Sequence, residues 1–413
     1  MGNKTAATKP FFNTEIPNDW EVKRISDFGK VYTGNTPPTN EIKNYGNEYL
    51  FVSPFDLNDT KYITKTKTKL SKRGFDISRK FPKGSVLFTC IGSTIGKSGI
   101  AGEDLTSNQQ INAIVVNKKN SGEFLYYQLE RNAIKIKLLA GEQAVPILNK
   151  SQFESVKLLS APLPEQTAIA QLLSTWDNAI TKTQSLIAQK EQSKKWLMQQ
   201  LLTGKKRLKG FKEKWKEFKI AGLFEMVDRY VEWQDSDLYH LVSIRRRFGG
   251  LFYREALLGE QINVKKLKSI CTEDFLISKR QVSHGAWAVV SPEFDNAKVS
   301  DEYDCLRIKN KGMLTSPFWA WYCQSPLMSH YAFLDSNGVH IEKLIFDFNQ
   351  FEKRRVLIPN SVEEQTAIAQ VLQSADTEIQ ILKTKMEKLK EQKKGLMQQL
   401  LTGKKRLNQD LQD

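Results

Sequence analysis

The stretch Gly92-Ser-Thr-Ile-Gly-Lys-Ser98 is where residue types and spacing come nearest to nucleotide chemistry. A phosphate-binding loop of the form GxxxxGK[ST] needs four residues between its glycines, the length at which successive backbone N–H groups wrap a triphosphate. Three residues separate Gly92 from Gly96. The segment is therefore read as a surface turn that offers Thr94, Lys97 and Ser98 to a phosphate backbone. No glycine-rich dinucleotide fingerprint, [NDS]PP[YF] tetrapeptide, HExxH, GxSxG or PD…(D/E)xK run is present. Cys90, Cys271, Cys305 and Cys323 contain no CxxC pair, and His240, His284, His330 and His340 form no ligand cluster. Neither a zinc site nor a disulfide framework is expected. The chain reads as a binder, not a catalyst.

Charge sets what it can bind. The chain carries 62 Lys plus Arg against 46 Asp plus Glu, a formal charge of +16, which favours a polyanionic partner. A single cation run is ordinarily a solvated face, but here there are several. Lys65 to Gly84 holds eight cations against Asp76 alone, and the later half adds Arg245, Arg246, Arg247, Arg254, Lys279 and Arg280. Such residues neutralise phosphates and make binding steeply salt-dependent, while Arg pairs with guanine edges and Asn or Gln with adenine. The candidate contacts to such a polyanion are Lys72, Arg73, Thr94, Lys97, Asn108, Gln109 and Gln143, then Arg245, Arg246, Lys279, Arg280, Ser283 and His284.

Two copies of one long element must position these residues. EQTAIAQ at Glu165 to Gln171 returns at Glu364 to Gln370, and LMQQLLTGKKRL at Leu197 to Leu208 returns at Leu396 to Leu407, both at one offset, 364 − 165 = 396 − 197 = 199. Apolar residues recur in steps of three and four, the signature of an amphipathic helix. The stripe runs through Ile169, Leu173, Trp176, Ile180 and Ile187 to Leu197 and Leu201, and again from Ile368 to Leu400. Each copy stops at Thr-Gly-Lys-Lys-Arg, where Gly204 or Gly403 suits a left-handed C-terminal cap. A stripe of this width needs a partner, and its own copy is the nearest one. Lys194 and Lys393 occupy equivalent seam positions, where a charge either sets register or faces another protein.

Between the helices lie two segments of mixed α/β character, Asn13 to Ala161 and Phe211 to Pro359. In the first, Tyr49 to Val52, Ser85 to Thr89 and Asn112 to Val116 read as strands and Glu123 to Leu139 as a helix. In the second, Asp274 to Ile277, Ala286 to Val290 and Tyr303 to Ile308 read as strands and Phe318 to Tyr331 as a helix. The two heads share punctuation more than identity: Gly96 aligns with Gly285, and the loop after Phe88 with the loop after Ile277. Similar arms thus carry divergent heads.

In this order the motifs resemble the specificity subunits of type I restriction-modification systems, over nearly the whole chain. The resemblance rests on Pro17 and Trp20 before Gly34-Asn35-Thr36-Pro37, the run Gly84 to Lys97, Asn108-Gln109-Gln110, and Leu163-Pro164-Glu165-Gln166 opening a helix that ends in Leu-Leu-Thr-Gly-Lys. The second head departs from it, lacking the Gly-x-Thr-Pro turn and the Ile-Gly-Lys triplet. The resemblance implies an α+β protein with two α/β target recognition domains and two long helices packed as an antiparallel coiled coil, in an internal pseudo-twofold repeat. Residues 1–161 would form the first recognition domain, 162–208 the first spacer helix, 209–359 the second domain, and 360–413 the second helix and tail. Each head would read one half of a bipartite, asymmetric double-stranded DNA site. Two modification subunits, with S-adenosylmethionine and adenine N6 methylation, would dock on the helices, for which Gln166, Gln171, Gln365 and Gln370 are the candidate contacts. Two restriction subunits would bring ATP and Mg, and this chain would hold no cofactor, metal or active site. No apolar run approaches the roughly eighteen residues of a membrane span and no signal peptide is recognised, so a cytoplasmic, non-membrane protein is expected. A single-chain methyltransferase or nuclease with unrecognised motifs, and a basic coiled-coil scaffold for RNA or protein, are the other classes open to these residues.

Overall fold

The two copies of the repeat are helices of equal length, Leu163–Leu201 and Val362–Leu400, 39 residues each. Each is about 58 Å long at 1.5 Å per residue. The second begins at Ser361, whose Oγ accepts the Glu364 N–H, the N-cap bond that satisfies an otherwise orphaned donor. Both end alike. Gly204 and Gly403 take φ of 68° and 72°, and the N–H groups of Lys206 and Lys405 reach back to the carbonyls of Gln200 and Gln399, each at 3.2 Å, closing the last turn as a left-handed cap does. The computed structural model describes residues 16–57, 60–141, 144–340 and 343–407.

The chain divides into two compact units, residues 1–184 with 385–413, and residues 185–384. The division falls inside both long helices. Each unit therefore holds one head, the N-terminal half of the helix that follows it, and the C-terminal half of the other long helix.

In the first unit the strand Glu21–Arg24 pairs antiparallel with Lys157–Ser160, joining the two ends of the head. One five-stranded sheet has the order Gly29–Thr33, Ile111–Val116, Val86–Thr89, Ser98–Ala101, Tyr62–Ile63. A second runs Tyr45–Gly46, Thr68–Leu70, Tyr49–Val52, Leu105–Ser107, Lys80–Phe81. The helix Gly122–Leu138 covers the first sheet, and Phe88, Phe124 and Phe153 form its core with Ile169 and Leu173 of the first long helix. Met397, Leu400 and Leu401, from the last turn of the second long helix, are buried in that same core. Each such side chain contributes about 1.5–3 kcal/mol on burial.

The second unit repeats the plan with different residues. Lys216–Lys219 pairs with Arg355–Ile358, and a sheet in the order Phe224–Met226, Tyr303–Ile308, Phe275–Ser278, Trp287–Val289 matches the first four strands of its counterpart. Another sheet runs Leu251–Leu258, Leu238–Ile244, Lys298–Ser300, Leu267–Ser269. Leu201 and Leu202 of the first long helix enter a core built on Phe275, Trp319 and Phe351. The single helix expected over Phe318 to Tyr331 is two, Ser316–Tyr322 and Pro326–Leu334. Pro326 cannot donate into a continuing helix, and Ser325 caps the new one through the Met328 N–H.

Inside each unit the two long helices are joined by ion pairs. In the second unit Lys190 meets Glu378 and Lys383 meets Glu191, each at 2.7 Å, and Lys194 meets Asp376. Pairing runs down one helix as it runs up the other, so these segments are antiparallel. In the first unit Lys393 meets Asp177 at 2.8 Å. Asp376 lies 376 − 177 = 199 residues after Asp177, the offset that also separates Lys194 from Lys393. The seam lysines thus meet acidic partners that are themselves duplicated.

Candidate nucleic-acid interface

In the first head, three turns far apart in sequence meet at one end of the sheets. The Gly34-Asn-Thr-Pro37 turn lies on the Asn108 segment: the Gly34 N–H donates to the Ile111 carbonyl at 3.0 Å, and Thr36 Oγ1 donates to Gln109 Oε1 at 2.7 Å. A Cβ on Gly34 would stand 2.2 Å from the Asn108 carbonyl oxygen, so no larger residue allows this approach. The Gly92 turn adjoins Gln110, whose carbonyl accepts the Cys90 N–H. This turn joins the antiparallel strands Val86–Thr89 and Ser98–Ala101, so it lacks the helix N-terminus on which a phosphate-binding loop depends.

The predicted residues occupy this region unequally. Gln109 is exposed, and Thr94 and Lys97 are half-exposed on the Gly92 turn. Asn108 is half-exposed and bonds both the side chain and the N–H of Gln110. Lys72 and Arg73 begin the helix Lys72–Ile77, where Lys72 pairs with Asp76 and Arg73 with Glu41. Asn44 ties this helix to the turn, donating to the Pro38 carbonyl and accepting the Ser71 N–H. Gln143 lies outside the described residues. Arg79, not among the candidates, belongs to the cluster: its N–H bonds Asn35 Oδ1 and its guanidinium bonds the Thr33 carbonyl at 2.6 Å. It was visible only as one cation of the basic run.

In the second head the candidates gather around the segment that follows Phe275–Ser278. Lys279 lies 3.8 Å from Asp304, Arg280 pairs with Glu302 at 2.6 Å, and Arg246 Nε donates to Gln281 Oε1 at 2.7 Å. Burial pushes the Asp304 carboxyl above its ordinary range, against the opposing pull of Lys279. Arg245 stacks over Phe252, 4.4 Å from the ring centroid. A cavity of about 410 Å³ is lined by Arg246, Arg247, Ser283, His284 and Ser329. Gly285 closes the turn at φ 72°, as Gly96 does at φ 104° in the first head. Both glycines precede the second strand of a matching hairpin.

Of the four glutamines expected to contact partners, two are not at the surface. Gln166 and Gln365 are fully buried. Gln166 accepts the Ser121 N–H and donates to the Ala161 carbonyl; Gln365 accepts the Thr315 N–H and donates to the Met313 and Pro359 carbonyls. Polar residues in a first helical turn look solvated in a sequence, but these two tie each long helix to its own head. Gln171 and Gln370 are exposed. The neighbouring glutamates are also structural. Glu165 accepts from Trp20 and Arg406, and Glu364 from Trp215 and Arg207. Arg406 also grips Asp19 and holds its carboxyl below the usual range. Such charge-assisted bonds satisfy carboxylates that burial would otherwise penalise.

Among the described residues no helix is long and apolar enough to cross a membrane, and no group of His, Cys, Asp and Glu could hold a metal ion.

The sequence matches the family described as "Type I restriction modification DNA specificity domain" twice, at residues 17–190 and 212–391. Similar curated proteins include the type I restriction enzyme MjaVIII specificity subunit of Methanocaldococcus jannaschii, 24% identical with 97% of this chain and 96% of that protein covered. Another is the HindI specificity subunit of Haemophilus influenzae, 32% identical over 35% of this chain and 32% of that one. Among solved structures, the type I restriction-modification S subunit from M. genitalium superposes with a TM-score of 0.59 at 14% identity, covering 94% of this chain and 97% of that one. The fold of the S subunit is thus shared at a level where sequence identity has largely gone. With two matched domains spanning both heads and most of both long helices, the chain belongs to the type I restriction-modification DNA specificity family and is a specificity subunit.

Proposed function

We propose that each head reads one half of a bipartite, asymmetric DNA sequence while the paired long helices fix the gap between the half-sites. The observation that carries this reading is the contrast between arms and heads. Lys194–Asp376 and Lys393–Asp177, and likewise Arg207–Glu364 and Arg406–Glu165, are the same pairs made twice. At the matching hairpin turn, by contrast, one head carries Thr94 and Lys97 and the other Lys279, Arg280 and His284. Duplicated arms suit two identical partners, and unlike heads suit two unlike half-sites.

In this reading two modification subunits dock along the long helices, with Gln171 and Gln370 as exposed candidate contacts. They supply S-adenosylmethionine binding and adenine N6 methylation, and two restriction subunits supply ATP- and Mg-dependent translocation and cleavage. The complex works on double-stranded DNA in the cytoplasm. The contact set in the first head is Lys72, Arg73, Thr94, Lys97, Asn108 and Gln109, now with Arg79. In the second it is Arg245, Arg246, Lys279, Arg280, Ser283 and His284. Mapping methylated adenines in host DNA with and without this chain tests the reading. An interrupted two-part motif that disappears with the chain is expected; a motif that persists without it overturns the proposal.

A further inference from the structure

Three consecutive arginines, Arg245, Arg246 and Arg247, form the turn between the strands Leu238–Ile244 and Leu251–Leu258. Two of them are engaged within the head: Arg245 lies over the Phe252 ring, and Arg246 bonds Gln281. Arg247 is different. Among the described residues its exposed guanidinium has no hydrogen bond, ion pair or ring contact. Its backbone is held firmly all the same.

Arg247 and Phe248 have φ of 58° and 57°. Two successive non-glycine residues in the left-handed region are unfavourable, and such conformations persist only where the surroundings over-determine them. Here the surroundings do. The Arg247 N–H donates to the His284 carbonyl at 2.8 Å, and the Phe248 N–H to the Gly285 carbonyl at 2.9 Å. The Phe248 ring packs against the head's core, so close to Gly285 that a Cβ there would stand 3.0 Å from it. The turn is thereby locked onto the Val282–His284 turn, with Arg247 on the rim of the 410 Å³ cavity. Among the described residues Ser283 Oγ is buried there without a hydrogen bond.

We infer that Arg247 is a specificity-determining residue of the second head, reading the edge of a guanine. This rests on the reading of that head as a half-site reader. A long cation on a mobile loop is enough to follow phosphates. A guanidinium on a strained, doubly anchored turn is placed as a base contact requires, and guanine O6 and N7 match its paired N–H groups.

The test uses the complex assembled with its modification subunits and duplexes randomised across both half-sites. Arg247→Gly removes the side chain and releases the strain at its own position, so the thermal midpoint should match or exceed that of the parent. Preference for guanine at one position of one half-site should fall roughly 10- to 100-fold, with the other half-site unchanged. Arg247→Gln should move the preference at that position toward adenine. A uniform loss of affinity across all sequences, with the salt slope shallower by about one, would make Arg247 a phosphate contact and overturn the inference. So would an unchanged preference at every position. If the parent complex itself showed no preference at that half-site, the half-site reading would have failed, not the assignment of Arg247.

Discussion

Lys393 stands in a helical stripe that hydrophobicity alone would fill with an aliphatic residue. Its side chain is nine-tenths buried, yet its ammonium meets Asp177 at 2.8 Å and Glu130 at 3.3 Å and lies 5.2 Å from the Tyr127 ring centroid. Breaking a partly buried pair costs more than breaking a solvated one, because the remaining charges stay partly desolvated. Lys393→Met should therefore destabilise the chain by about 2–4 kcal/mol in denaturant unfolding, while Lys190→Met, losing a solvated pair, should cost under about 1 kcal/mol. Glu130 makes the pH dependence specific. Burial raises its carboxyl above the ordinary 4.5, and Asp177 adds to the rise against the pull of Lys393. The folded state thus holds this proton more tightly than the unfolded state does, so the contribution of Glu130 to stability falls as pH rises from about 4.5 through the raised value. Glu130→Gln should gain on the parent across that interval in thermal melts; a gap that stays constant or widens the other way would refute this. The sequence marked Lys194 and Lys393 as anomalous and left two roles open. Their acidic partners could not be read from it, because Glu130 and Asp177 are 263 and 393 − 177 = 216 residues away from Lys393.

At the scale of elements, the two glycines of the second long helix act in opposite ways. Gly395 lies in the helix interior with open space where a Cβ would go, so Gly395→Ala should stabilise by about 0.5–1 kcal/mol. Gly403 takes φ 72° at the helix end, and a Cβ there would stand 2.6 Å from the Pro17 ring, so Gly403→Ala should destabilise by more than about 1 kcal/mol. Melting the two variants in parallel checks both signs. The long helices were legible because their stripe persists for many turns, and so were the strands bounded by Gly, Pro and Asn. The contact between Gly34 and Asn108 was not legible. Both turns carry family motifs, but 108 − 34 = 74 residues separate them, and no local period encodes which loops a sheet brings together. The break at Ser325-Pro326 was written in the chain and was overridden by the apolar run on either side.

At the scale of the molecule, neither head is complete without the distal half of the other long helix. The first unit takes Met397, Leu400 and Leu401 into its core and Arg406 onto Glu165 and Asp19. Truncation after Pro359 should therefore destabilise the first head, although its own strands are intact, and a peptide of residues 385–413 added in trans should restore protease resistance. Unaltered resistance of the truncated chain would mean that the buried terminal turn contributes little. The central claim is that each head independently reads its own half-site on shared arms. It is tested most directly by replacing residues 212–359 with the matching head of a related specificity subunit and mapping the methylated motif in cells. The account predicts that one half of the motif changes while the other half and the spacing are retained; an unchanged motif, or a change in both halves, would contradict it.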